Sequence, residues 1–153
     1  MLNKKIPITI ITVIFLLVFV SVGLALYNAV ETQHKVKSIA TEFVGKWANY
    51  QNQYSTSYIN SLKPYLTVDQ INKLTFSAQT VGATDIRYGL TPLASSFTNF
   101  SVKSFTNSKG IYTIKVSGVL KYTGTPAEYN RVADIILKKV DNKWQVSNMY
   151  FED

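Results

Sequence analysis

The sequence predicts an α+β protein of 153 residues with a transmembrane helix at its N-terminus. Three patterns lead to this prediction. The segment from Ile6 to Tyr27 is apolar and uncharged. Apolar residues then recur at helical spacing from Val36 to Trp47, and later they alternate with polar residues from residue 112 to residue 122. A helical period followed by a strand period favours helices packed on one antiparallel sheet.

The apolar segment from Ile6 to Tyr27 is long enough to cross a bilayer. As a helix rising about 1.5 Å per residue it measures about 33 Å, against a hydrocarbon core of about 30 Å. Lys4 and Lys5 precede it, and the next charged residue is Glu31. Because lysine and arginine are enriched on the cytoplasmic side, we expect the N-terminal tail in the cytoplasm and the remaining chain outside.

A cleaved signal peptide is the alternative for the same segment. The basic start, the apolar run and the small residues of Gly23-Leu24-Ala25 would fit one. The apolar core of a signal peptide usually has about 7–15 residues, fewer than here, and Tyr27 suits an interfacial anchor. We therefore expect a cytoplasmic tail at 1–5, an uncleaved membrane helix at 6–27 and an extracytoplasmic domain at 28–153.

The composition limits what this domain can contain. The chain has no cysteine, which excludes disulfides and thiolate metal sites, and 13% aromatic residues suit a core of large rings. The formal net charge is +7, and the lysines outside the tail are scattered along the sequence. This basic character predicts a soluble surface with weak attraction to anionic lipid head groups or cell-wall polymers.

The first helix of the domain should begin near Glu31 and end between Asn49 and Ser57. No glycine or proline separates it from the membrane helix after Gly23, so the two can be continuous. One face carries an apolar stripe at positions i, i+3, i+4, i+7, i+8 and i+11. Its members are Val36, Ile39, Ala40, Phe43, Val44 and Trp47. Three tyrosines extend the stripe among polar residues, at positions 50, 54 and 58.

Two shorter helices are predicted next. The first covers Thr56 to Leu62, and Pro64 should end it because proline keeps the preceding residue out of the helical region. The second covers Val68 to Ala78 and buries apolar residues at positions 71 and 74. Thr67 and Gln70 have the spacing of a capping box at its start.

Beyond residue 84 the pattern predicts an antiparallel sheet. The expected strands cover residues 96–105, 112–122, 129–140 and 144–151. Tight turns are expected at residues 107–110 and 140–143. Gly118 lies inside the second strand and suggests a bulge or a bend. The strand alternation directs five side chains inward, namely Tyr112, Ile114, Leu120, Ile135 and Leu137.

This layout resembles the nuclear transport factor 2-like, or cystatin-like, superfamily. Two strings carry the resemblance: ATEFVGKWANY at 40–50 followed by YINSLKPYLT at 58–67, and KKVDNKWQVSNMYFE at 138–152. Both look like bitopic members with one N-terminal anchor, such as Mce-associated membrane proteins and TcpC-type conjugation proteins. The resemblance implies a cone in which helices pack on a curved antiparallel sheet.

The resemblance also implies a role. We expect the extracytoplasmic domain to act as a scaffold or assembly subunit of a cell-envelope complex, in conjugation or type IV secretion. The implied partners are membrane lipid through the N-terminal helix, other envelope proteins, and a second copy of the chain. The alternative is an extracytoplasmic domain that binds an apolar small molecule or a lipid.

No motif in the sequence predicts catalysis, a metal or a cofactor. His34 lies at the start of the first domain helix, outside any cone, and Glu152 and Asp153 form an isolated acidic pair at the terminus. No glycine-rich phosphate loop and no nucleophile elbow is present. Alternating tyrosine and lysine fits ordinary strand faces, so no nucleic-acid binding is expected. The remaining polar candidates are Asp85, Arg87, Arg131 and Asp134.

A partner surface is predicted on the outer face of the sheet, formed by Lys115, Lys121, Asp134 and Lys138. Asp134 should be solvated or paired across strands. Charge substitutions at Lys115 or Lys121 should weaken assembly and leave folding intact. The inward tyrosines and phenylalanines should largely fill the cone, which directs partners to the exposed sheet edge or the first helix.

Overall fold

The computed structural model describes residues 8–82 and 94–152, with side chains from residue 12 onward. Within these ranges the protein is α+β, as predicted. Three α-helices precede the sheet: α1 Ile8–Trp47, α2 Thr56–Leu62 and α3 Val68–Ser77. Four strands follow: β1 Ser95–Ser108, β2 Ile111–Tyr122, β3 Glu128–Val140 and β4 Lys143–Phe151. They are antiparallel neighbours in chain order, so the sheet is an open meander.

The chain divides into two compact units between Lys35 and Val36, and α1 runs through the division without interruption. This continuity agrees with the lack of glycine and proline after Gly23. In the first unit, the large apolar side chains from Val13 to Leu26 are all more than half exposed. By length and composition, α1 is the one helix among the described residues that could cross a membrane.

In the second unit, α1 uses its predicted apolar stripe to cover the sheet. Val36, Ala40, Phe43 and Val44 are fully buried. The helix ends at Trp47, two residues before the predicted range, where Asn49 turns its side chain toward β1. The Asn49 amide accepts a hydrogen bond from the Phe97 backbone N–H (2.7 Å) and donates one to the Phe97 carbonyl (3.2 Å).

The helix α2 has its predicted bounds, but Pro64 does not stop the helical path. Lys63 keeps helical angles (φ −49°, ψ −40°), and the chain continues as a 3-10 turn at Lys63–Tyr65. The expectation that Pro64 would push its predecessor out of the helical region is therefore wrong. A new, tighter turn places the proline at its start, where the missing N–H has no helical partner to lose.

The capping box predicted for α3 is absent, although α3 begins where expected. Thr67 occupies the N-cap with extended angles and makes no side-chain capping bond. Gln70 is buried, and its side-chain amide donates to the carbonyl of Ser147 in β4 (2.8 Å). The Gln70 side chain therefore bonds to the sheet and is not available to complete the capping box. Beyond Ser77 the helix loosens into a π turn at Ala78–Gly82.

The strands agree with the predicted bounds to within three residues, and both predicted hairpin turns form. Lys109 and Gly110 have positive φ angles of 51° and 78°, and Asp141 and Asn142 have 48° and 62°. Two successive positive φ angles match the right-handed twist of the flanking strands. Local turn chemistry therefore determines the register of both hairpins.

Gly118 marks an irregularity that lies in the neighbouring strand. Two β1 residues, Asn99 and Phe100, face Gly118 alone, and Asn99 has a positive φ of 51°. A Cβ on Gly118 would lie 2.5 Å from the ring of Phe97. The expected bulge exists, but its extra residue belongs to β1, and the glycine makes room for an aromatic ring.

The core lies between α1 and the inner face of the sheet. Four of the five side chains predicted to point inward are buried, and Tyr112 is partly buried. Trp47, the last residue of the predicted stripe, is only partly buried. Its ring stacks on Phe151 at 4.9 Å and on Phe43 at 6.0 Å.

We expect Gly118→Ala to lower the free energy of unfolding by about 1–3 kcal/mol, because the added methyl group overlaps the Phe97 ring. Chemical denaturation of the detergent-solubilised protein measures the effect. Ser117→Ala, on the adjacent outward position, is the matched control. Equal stabilities of the two variants would contradict the close approach.

Candidate functional site

The four residues predicted as a partner surface lie on the sheet face opposite α1. Strand register pairs Lys115 with Asp134 and Lys121 with Glu128, and it places Lys138 opposite a glutamine of β4. Their side chains alternate along the strands with those that face α1. The outer face therefore carries the predicted residues, but their environments differ.

Asp134 is buried, with 4% of its surface exposed, and forms the centre of a charged cluster. The Lys115 ammonium donates to both carboxylate oxygens at 3.1 Å and also to Glu152. The hydrogen bond that Lys115 donates to Glu152 is the largest cause, and with those donated to Asp134 it raises the pKa of Lys115 above its usual 10.5. Hydrogen bonding to Asp134 raises the pKa of Tyr150. Asp134 is thus paired across strands, and it holds Lys115 in place rather than facing a partner.

The other two lysines of the predicted surface, Lys121 and Lys138, are more accessible to a partner than Lys115. Lys121 is half exposed and lies 3.6 Å from Glu128, which is also exposed. Such surface pairs contribute little to stability because water and salt screen them. Lys138 is partly exposed, and within the described ranges it forms no ion pair. These two lysines remain candidates for partner contact.

Both edges of the sheet are partly blocked. On β4, Val146 forms a parallel bridge with Leu66. On β1, the backbone of Tyr50 pairs with that of Ser95, and the side-chain amide of Asn49 hydrogen-bonds to the backbone of Phe97. Two register shifts interrupt β1 further along, the second beside Lys103. Bulges and a lysine on an edge strand disfavour pairing with another strand.

A cleft of about 400 Å³ remains at the end of the core near the start of β1. Its lining combines aromatic rings with small polar groups and contains no charged side chain. The residues are Trp47, Ala48, Tyr50, Gln53, Tyr54, Tyr58, Leu74, Ser77, Val81, Ser95, Leu120, Tyr122 and Phe151. The prediction that aromatic side chains largely fill the cone is not met here, since ligand pockets begin at about 300 Å³.

The tyrosines of the cleft stay neutral and orient each other. Tyr58 donates its hydroxyl hydrogen to the Trp47 carbonyl at 2.6 Å, and its ring lies 5.4 Å from that of Tyr50. Burial raises the pKa of Tyr58 well above its usual value of 10 and raises the pKa of Tyr50 in the same direction. The cleft therefore suits an uncharged ligand. The sequence signal for the cleft is the regular spacing of these tyrosines, which by itself predicts only a longer apolar stripe on the first helix.

The remaining sequence candidates do not converge. Asp85 and Arg87 lie outside the described residues. His34 is exposed on α1, while Arg131 donates to the Glu152 carbonyl at 3.3 Å. Within the described chain, no three histidine, aspartate or glutamate residues are grouped to hold a metal ion.

No family model matches the chain, and no curated protein sequence matches it. Among solved structures, the intermembrane space region of the chloroplast protein ARC6 is similar, with 17% sequence identity and a TM-score of 0.46. The match covers 75% of this chain and 95% of that one.

The buried environment of Asp134 changes the expectation for Lys115. Lys115→Met leaves a buried carboxylate without its ammonium partner, and we expect the melting temperature to fall by about 5 °C. Lys121→Met removes an exposed charge and is the matched control with little expected change. Equal melting temperatures for the two variants would contradict the structural role of Lys115.

The pH dependence follows from the direction of the shift. Because the folded state raises the pKa of Lys115, its contribution to stability is present at neutral pH. It should be lost only as the pH rises through that raised value. The difference in melting temperature between the unsubstituted protein and Lys115→Met should therefore become smaller at strongly alkaline pH.

Proposed function

We propose that this chain is a single-pass membrane protein whose extracytoplasmic domain serves as a scaffold or assembly subunit of a cell-envelope complex. The observation that carries the proposal is the first part of α1. Its large apolar side chains are exposed along the whole stretch from Val13 to Leu26. A bilayer would cover these side chains, whereas water would leave them unfavourably solvated.

In this proposal the domain belongs to the nuclear transport factor 2-like superfamily, and the complex is a conjugative or type IV secretion channel. Two strings resemble bitopic members. The first, at residues 40–50 and 58–67, covers the end of α1 and most of α2, and the second, at residues 138–152, covers the β3–β4 turn and β4. Support for the cone comes from the buried stripe of α1 on the inner sheet face. The N-terminal tail is cytoplasmic, and the domain is on the other side.

The proposal assigns no enzymatic activity to the domain. Lys115, Asp134 and Glu152 satisfy one another on the outer face, and the cleft is lined by uncharged groups. General acid–base chemistry needs a titratable group positioned at the substrate. The proposal therefore assigns the domain contacts with other proteins, for which the exposed Lys121 and the partly exposed Lys138 are available.

The orientation can be tested with single cysteines, since the chain has none of its own. We expect Ser108→Cys to react with a membrane-impermeant thiol reagent on intact cells. Asn3→Cys should react only after the membrane is permeabilised, because Lys4 and Lys5 retain the tail in the cytoplasm. Labelling of Asn3→Cys alone on intact cells would reverse the orientation. Crosslinking in native membranes, followed by mass spectrometry, identifies the partners.

A second candidate function is the binding of a neutral, partly aromatic small molecule or lipid. The observation that favours it is the cleft of about 400 Å³ with its uncharged aromatic lining. Tyrosine hydroxyls there can hydrogen-bond a ligand while the rings pack against it. This function and the scaffold role use different surfaces of the domain.

Thermal unfolding separates the two functions. The scaffold proposal predicts that residues 30–153 show no shift in melting temperature with a panel of neutral aromatic compounds and lipids. A bound ligand at about 100 times its dissociation constant would add about 2.7 kcal/mol. A rise of several degrees that disappears in Ser77→Trp, which places an indole in the cleft, would instead support the binding function.

A further inference from the structure

The meander collects lysines that are scattered in the sequence. The β1–β2 and β3–β4 turns lie at the same end of the sheet, because successive antiparallel strands reverse direction. Lys109 is in the first turn, and Lys138, Lys139 and Lys143 flank the second. With Lys37 of α1, we call these five residues the lysine end.

Contacts between α1 and β1 show why Lys37 belongs to this group. The Lys37 ammonium lies 5.1 Å from the centre of the Phe105 ring, near the β1–β2 turn. Further along α1, Gly45 approaches Phe100, and the helix is followed by the pairing of Asn49 with Phe97. The helix therefore enters the domain at the lysine end and runs away from it along β1.

The charges of the lysine end are not neutralised within the described chain. Lys46, Lys115 and Lys121 each have a carboxylate within ion-pair distance, whereas none of the five lysines does. Asp141 lies in the β3–β4 turn among them and offsets part of the charge. The lysine end thus has an excess of positive charge that the rest of the described domain does not balance.

Aromatic rings accompany these lysines. Phe105, Tyr112 and Trp144 form a row across the inner face, with ring centres 5.3 Å and 5.0 Å apart. The ammonium of Lys139 lies 6.0 Å from the Trp144 ring, and Ile111 at the strand start is 47% exposed. Lysines with apolar stems beside tryptophan and tyrosine are typical of surfaces at the level of lipid head groups.

The length of the connecting chain brings this end within reach of a bilayer. Eight residues separate Tyr27, the last residue of the apolar segment, from Val36, the first residue of the second unit. Even a fully extended chain of that length spans only about 30 Å. The chain between the apolar segment and the lysine end is therefore short.

We propose that the lysine end binds anionic lipid head groups of the membrane that holds α1. The proposal rests on the membrane anchoring proposed above and adds a second contact, made by the folded domain itself. Anionic phospholipids attract basic residues near the surface, and each lysine shifts the docked-to-undocked ratio about fivefold. The head groups supply the negative charge that the described domain does not place opposite these lysines.

The experiment uses the full chain in nanodiscs, with single cysteines carrying a fluorophore. Ser108→Cys reports the lysine end, and Thr125→Cys reports the β2–β3 connection at the other end of the sheet. Val20→Cys reports the apolar segment. Lipids spin-labelled at the head group quench the first two labels, and lipids spin-labelled in the acyl chain quench the third. The discs contain phosphatidylcholine alone or with about 25% phosphatidylglycerol.

We expect stronger quenching at Ser108 than at Thr125 in the anionic discs, with the difference reduced by salt. Each substitution Lys109→Gln or Lys143→Gln should lower the docked-to-undocked ratio about fivefold. Lys63→Gln and Lys73→Gln remove the same charge from exposed positions on the 3-10 turn and α3 and are the matched controls. They should leave the ratio unchanged.

The possible failures are distinguishable. A quenched Val20 label with equal quenching at Ser108 and Thr125 would overturn head-group binding and leave the membrane anchor intact. Equal Ser108 quenching in neutral and anionic discs would overturn the electrostatic contact, because the tether alone would explain proximity. An unquenched Val20 label would overturn the membrane anchor and this inference together.

Discussion

The packing of the α1 stripe on the inner face of the sheet is the constraint on which the rest of the domain depends. Val36, Ala40, Phe43 and Val44 are fully buried on the side of α1 that faces the sheet. Burying four such side chains supplies the main favourable free energy for joining helix and sheet. The same packing sets the position of Asn49, whose amide then occupies the edge of β1.

Most of the fold could be predicted from local sequence patterns. The stripe of α1, the bounds of α2 and the two positive-φ turns depend on residues close together in the chain, so periodicity and turn chemistry suffice. The pattern failed where a distant segment competed for a local group. Gln70 has the capping-box spacing, but its amide bonds to Ser147, which no local rule can reveal. Pro64 likewise lies in a 3-10 turn, and the residue that follows this turn, Leu66, pairs with Val146 of the distant strand β4.

The candidate sites were less predictable because they are made by topology. Alternation correctly placed Lys115 and Asp134 on one face, but only the register shows that they oppose each other and that Asp134 is buried. The lysines at positions 109 and 143 are far apart in sequence and meet at one end through two strand reversals. The cleft is the space that the surrounding side chains leave empty, and no sequence pattern predicts the volume of such a space.

The order of synthesis gives the position of α1 a further consequence. A ribosome makes α1 first and β4 last, yet Trp47 at the end of α1 stacks on Phe151, the final residue of β4. Domains generally fold as units, and here the helix stripe has no complete partner until the C-terminal strand is available. A nascent chain that lacks β4 would therefore expose part of this apolar helix face. Termination before β4 would leave part of that face uncovered, including the side of Trp47 that stacks on Phe151, and folding factors and proteases can recognise such a surface.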